Sequence, residues 1–186
     1  VFDDCTPRTI VALPQDTDAA SCGAAVGASV IGPPDLAGQV VDDDEVTHGV
    51  GAEDIALLVY TSGTTGVPRG VRLSHRALLA NRAQTAALRP APVTATDRLL
   101  LALPLFHIFG LAAGLLQVCW AGATAVLTER FEPGPAAETL RTQRVSGIVA
   151  VPSMFRALLD LPADELRAAT AQVRLCTSGG APLPPH

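Results

Sequence analysis

Hydrophobic and polar positions change rhythm along this chain near residue 54. Before it the pattern is weak: a short β-like run at residues 9–13, a small-residue stretch at 19–28, then a loop rich in Gly, Pro and Asp. After it, residues 55–60 form a continuous apolar run of strand length, and Val71, Arg72 and Leu73 alternate like a short strand. Ser74 has the character of an N-cap for a helix over residues 75–88, in which Leu79, Ala83, Ala86 and Ala87 share one face. The theme then repeats. Strands are predicted at residues 99–103, 124–127, 147–151 and 173–177, with helices at 110–120, 135–144 and 153–161 between them. Strands alternating with helices predict an α/β fold of layered sheets with mainly parallel pairing. The expected organisation is an upstream tail and linker over residues 1–53, followed by a partial binding subdomain over 54–186.

One stretch tests that picture, because residues 99–128 contain no Asp, Glu, Lys or Arg and are long enough to cross a bilayer. Pro104, His107, Gly110, Gly114, Gln117 and Gly122 interrupt it, in the manner of a strand, a loop and a buried helix, so no membrane span is expected. An apolar fraction of 48% supports a buried core and excludes a disordered chain. A net charge of −5 without a dense Lys/Arg cluster argues against nucleic acid or a polybasic membrane patch and for small-molecule partners. Cys5, Cys22, Cys119 and Cys176 are scattered, with no C-x-x-C pair and no zinc spacing, which fits a reducing cytoplasm. The run Asp42 to Glu45 reads as a solvated linker, and no metal site is expected among these residues. Val1 opens the chain without the features of a signal peptide, and the expectation is a piece of a longer protein.

The segment Tyr60-Thr61-Ser62-Gly63-Thr64-Thr65-Gly66-Val67-Pro68-Arg69-Gly70 carries the strongest chemistry. Its glycines let the backbone turn and bring N–H groups close to an anion, and its hydroxyls add donors. Arg69 adds a fixed charge and a planar fork that suits phosphate. The sequence is not a Walker A motif, since Gly70 leads into a strand-like triplet instead of a helix. An ordinary Gly/Thr hairpin is the alternative reading.

This segment resembles the phosphate-binding loop of the adenylate-forming superfamily, which holds acyl-CoA synthetases, peptide-synthetase adenylation domains and luciferases. Ser74-His75-Arg76-Ala77-Leu78 resembles the S-H-x-x-L start of the helix after that loop. Leu103 to Gly110 resembles the P-x-F-H-x-x-G segment of acyl-CoA synthetases. Val151-Pro152-Ser153-Met154-Phe155 and Ser178-Gly179-Gly180-Ala181-Pro182-Leu183 resemble the start of the pocket helix and the adenine-contacting turn. Arg69 stands where the superfamily's loop commonly has Lys.

The resemblance implies part of the large N-terminal domain of an acyl-CoA synthetase using ATP, Mg2+ and CoA. A carboxylate oxygen attacks the α-phosphorus of ATP, pyrophosphate leaves, and a thiol then displaces AMP to give the thioester. Thr61, Ser62, Gly63, Thr64, Thr65, Gly66 and Arg69 would hold the phosphates, with Arg69 counted as catalytic. His107, the second catalytic candidate, would orient the carboxylate beside the acyl tunnel; its alternative is a hydrogen-bonded core histidine. Gly179, Gly180, Ala181 and Pro182 would meet the adenine, or simply end a strand. Val151, Met154 and Phe155 would line the acyl pocket with His107, or simply pack in the core. The expected substrate is a medium- or long-chain fatty acid, with an aromatic acid, another adenylate-forming reaction or a non-catalytic nucleotide-binding module as alternatives. The superfamily's later G-Y-G-x-T-E segment, its ribose-binding Asp and its small C-terminal domain with a catalytic Lys are absent from these residues, so the chain alone is expected to be inactive.

Overall fold

The computed structural model describes residues 2–12, 16, 18–32, 49–61 and 68–183. They fall into two compact units, Val1–Arg76 and Ala77–His186.

In the first unit, α1 (Phe2–Cys5) precedes β1 (Thr9–Val11), α2 (Ala19–Val26) and β2 (Ser29–Ile31), and β1 pairs in parallel with β2. The small-residue stretch is thus the crossover helix of a parallel pair. It ends at Gly27, whose φ of 69° lets its N–H turn back to the Gly23 carbonyl. Next, β3 (Ile55–Thr61) and β4 (Arg69–Ser74) form an antiparallel hairpin with an irregularity between Ile55 and Leu57. At its far end the Tyr60 hydroxyl donates to the Asp4 carboxylate at 2.5 Å, which raises the phenol above its ordinary pKa.

The second unit is organised around a fully parallel sheet in the order β6-β5-β7-β8. These strands are β5 (Arg98–Leu101), β6 (Thr124–Leu127), β7 (Gly147–Ala150) and β8 (Leu175–Ser178). Alternate residues of the two central strands serve opposite faces. Leu100 and Ile148 join Leu140, Val145 and Leu158 in one core. Leu99, Leu101 and Val149 join Val93 and Val118 in the other. The first face is covered by α5 (Pro133–Thr142), α6 (Pro152–Leu159) and α7 (Ala163–Ala169). Burial on both faces explains why the two central strands, β5 and β7, read as continuous apolar runs.

The α/β fold with mainly parallel strands is as expected, but three local expectations are corrected. No helix was expected over Ala163–Ala169, where the seven residues of α7 are too short to establish an amphipathic stripe. The apolar stretch after β5 is a π-helix over Gly110–Leu116 that continues as α4 (Gln117–Ala121). And α3 (His75–Ala86) does not bury its Leu79 face: Leu79 is 55% exposed, while Arg82 is the buried residue. The reason is polar, because Arg82 supplies donors to acceptors on the π-helix segment. No helix among the described residues is long and apolar enough to cross a membrane.

The amino ends of three strands are tied by one carboxylate. Asp97, just before β5, accepts from the Ser146 hydroxyl before β7 at 2.7 Å and from Arg174 Nε before β8 at 2.8 Å. It also accepts from the Thr94 N–H and hydroxyl. Burial alone would push this carboxyl up; the hydrogen bonds from Arg174, Ser146 and Thr94 overcome it and hold the group well below the usual carboxylate range.

Candidate active site

Connections from adjacent strands β5 and β7 leave on opposite faces of the sheet: the π-helix packs on one side and α6 on the other. In open parallel sheets such a divergence opens a crevice at the carboxyl ends of the strands. A cavity of about 360 Å³ lies there. Leu103, Pro104, His107, Ile108 and Phe109 line it from the segment after β5, Val151 from the end of β7, and Gly180 from the turn after β8. That volume is within the range of small-molecule sites, and the lining is mostly apolar with few polar groups.

Backbone bonds hold the His107 segment in place. The His107 N–H donates to the Pro104 carbonyl at 3.1 Å, and the Leu111 N–H to the His107 carbonyl at 2.9 Å. Gly110 closes this turn, since a Cβ there would come within 2.6 Å of the Pro104 oxygen. The imidazole is exposed, not in the core, and packs at 4.5 Å and 50° against the ring of Phe106, itself 80% exposed.

The opposite wall depends on absent side chains. A Cβ on Gly179 would lie 2.8 Å from the Phe109 ring, and one on Gly180 would lie 3.3 Å from Val151. Gly180 also has φ +77°, a conformation that favours glycine. The two glycines therefore let the turn after β8 close onto Phe109 and Val151.

Predicted site residues separate into groups. His107, Val151 and Gly180 meet at this cavity, with Gly179 against Phe109. Met154 and Phe155 are partly buried and pack against the core on the α6 face. Phe155 also lines a second hollow of about 650 Å³, together with Arg156, Ala181 and Pro182. Phe109 was visible in the sequence only as a neighbour of His107; the Gly-Gly pair, read there as a surface for adenine or the end of a strand, is where the structure packs its ring. Cys176 on β8 is an exposed residue, yet the partial desolvation of its thiol pushes its pKa up, away from what a nucleophile needs.

Of the phosphate-loop candidates, Thr61 and Arg69 are cross-strand partners that close the β3–β4 hairpin. The Thr61 hydroxyl approaches the Arg69 carbonyl at 3.5 Å, the limit of a hydrogen bond, and both residues are exposed. Ser62, Gly63, Thr64, Thr65 and Gly66 lie outside the described residues. Among the described residues no group of three His, Cys, Asp or Glu side chains could hold a metal ion.

Comparison with known proteins agrees with this architecture. The chain is 35% identical over 144 residues to a feruloyl-CoA synthase of Amycolatopsis sp, an alignment covering 77% of this chain and 28% of that protein. The fold matches ATP-bound MatB from Rhodopseudomonas palustris with a TM-score of 0.81 and 31% identity, over 98% of this chain and 37% of the other. It also matches a malonyl-CoA ligase solved with methylmalonyl-CoA and AMP, with a TM-score of 0.80 and 34% identity, over 98% of this chain and 38% of that one. The chain thus spans well under half the length of these relatives. With a parallel sheet whose carboxyl ends form the cavity, and a sequence matching the AMP-binding enzyme profile from residue 2 to 186, the chain belongs to the AMP-binding enzyme family.

Proposed function

We infer that this chain supplies nucleotide- and acyl-binding surfaces of an ATP-dependent, AMP-forming acid–CoA ligase. The observation that carries the reading is the apolar cavity at the carboxyl ends of β5, β7 and β8, with the exposed His107 as its ionisable lining group. An apolar acyl group fills such a space, while its carboxylate stays at the polar rim. His107 orients that carboxylate; a carboxylate needs no deprotonation at neutral pH, so the imidazole is not required as a base. Arg69, on the hairpin that carries the phosphate-loop candidates, supplies a bidentate donor to phosphate oxygens. Thr61, Ser62, Gly63, Thr64, Thr65 and Gly66 supply the remaining hydroxyl and backbone donors. Gly179, Gly180, Ala181 and Pro182 offer the adenine a surface poor in side chains.

ATP and CoA are the co-substrates this reading requires. Mg2+ would accompany ATP as the counter-ion of its phosphates, and no step is assigned to it.

The acid is apolar. Between a fatty acid and an aromatic acid, a compact cavity of about 360 Å³ with the Phe109 ring beside it favours the aromatic class, as does similarity to a feruloyl-CoA synthase. A medium- or long-chain fatty acid is the second reading, favoured by the hollow of about 650 Å³ beside α6. The test is carboxylate-dependent ATP–pyrophosphate exchange by the full-length gene product, run with aromatic, fatty and short dicarboxylic acids. Aromatic acids are expected to give the highest kcat/KM. Exchange with fatty acids alone would move the assignment to the second reading, and no exchange with any acid would overturn the ligase reading.

A further inference from the structure

Arg82 is 7% exposed, yet among the described residues its guanidinium meets neutral acceptors alone: the Ala112 carbonyl, the Gln117 Oε1 at 2.9 Å and the Asn81 side-chain oxygen. Among the described residues no carboxylate pairs with it, and burial lowers its pKa. Gln117 is only 3% exposed and is likewise committed to this contact. A buried charge without a counter-ion is a poor stabilising device, because an apolar side chain of similar length fills the same space without the desolvation penalty.

Its location suggests a different role. Ala112 lies in the middle of the π-helix, and Gln117 is the first residue of α4, so the guanidinium grips this segment across the junction where one helix type becomes the other. The amino end of the same π-helix is the cavity wall. Phe109 immediately precedes it, and the Leu111 N–H is bonded to the His107 carbonyl. A shift of Ala112 is therefore transmitted to His107 and Phe109 within two turns.

We propose that Arg82 is a positioning residue for acyl binding: by holding Ala112 and Gln117 it sets the π-helix where His107 and Phe109 face the cavity. This role rests on the ligase reading above, and the experiment separates the two. In the full-length gene product, Arg82→Met, Arg82→Lys and Gln117→Glu are compared with wild type by carboxylate KM, ATP KM and amide exchange across residues 107–117. Arg82→Met is expected to raise the carboxylate KM about tenfold or more, since misplacement by an ångström has effects of that order. The ATP KM stays within about twofold, and residues 107–117 exchange faster. Arg82→Lys, with one compact donor group, recovers part of both effects. Gln117→Glu keeps an acceptor oxygen and retains the wild-type carboxylate KM. An unchanged carboxylate KM, or equal rises for both substrates, overturns the proposal. If Arg82→Met fails to fold, Arg82→Lys decides it: faster exchange with an unaltered carboxylate KM overturns it as well. A wild-type protein with no carboxylate-dependent exchange sinks the ligase reading, and this role with it, before any variant is compared.

Discussion

One hydrogen atom is all that Gly179 places toward Phe109, and the ring occupies the rest of the space that a side chain would need. Gly179→Ala sets a methyl group 2.8 Å from carbons of the Phe109 ring, so the ring or the turn must shift. Overpacking of this kind costs about 1–3 kcal/mol in stability. The kinetic outcome distinguishes two roles for the turn. If Gly179 acts through Phe109, kcat/KM for the carboxylate falls by about tenfold or more while the ATP KM is little changed. A selective rise in ATP KM would instead give this glycine to the adenine. His107 was singled out in the sequence mainly because Leu103 to Gly110 resembles the P-x-F-H-x-x-G segment of acyl-CoA synthetases, and its place on the cavity wall is what the structure adds. The separation of Val151 from Met154 was not legible: apolar side chains one turn apart look alike in sequence, and only packing sends one to the cavity and the other to the core.

Among elements, the central parallel strands β5 and β7 were legible because burial on both faces demands unbroken apolar runs, and the outer strand at residues 124–127 also matched its expected bounds. The π-helix was hidden, since a Gly- and Ala-rich apolar stretch carries the same composition in either helical form. The face of α3 was misread for a related reason: apolar periodicity registers leucines and alanines but not a buried arginine that binds carbonyls. Cross-strand ties such as Asp97 leave no local pattern at all, as its partners Ser146 and Arg174 lie 49 and 77 residues away. That tie predicts the acid limb of stability. The folded carboxyl titrates lower than the unfolded one, so its contribution is present in full above the unfolded value near 4 and is lost as pH falls below it. Asp97→Asn should lower stability at pH 7 by about 1–3 kcal/mol, as for a broken charged hydrogen bond. It should also flatten the denaturation midpoint between about pH 4 and pH 2; a variant with the wild-type acid slope would show that Asp97 is not responsible for it.

For the whole molecule, the second unit contains its own sheet and both apolar cores, whereas the first holds two-stranded sheets. Local opening is expected to follow that difference. In native-state hydrogen exchange, the amides of β5 and β7 should be the slowest, those of the outer strands β6 and β8 faster, and those of β1 and β2 faster still. Protection of β1 and β2 equal to that of β5 and β7 would contradict it.

The sheet also divides its labour lengthwise. Its amino ends are clamped by Asp97, Ser146 and Arg174, and its carboxyl ends carry the segments around His107, Val151 and Gly180. On the proposed ligase reading, resilience and choice of acid would be set at opposite poles of the same strands. A designer could exchange the cavity-lining tips repeatedly while the clamped pole keeps the framework in register, so on that reading selectivity could drift without the fold having to follow.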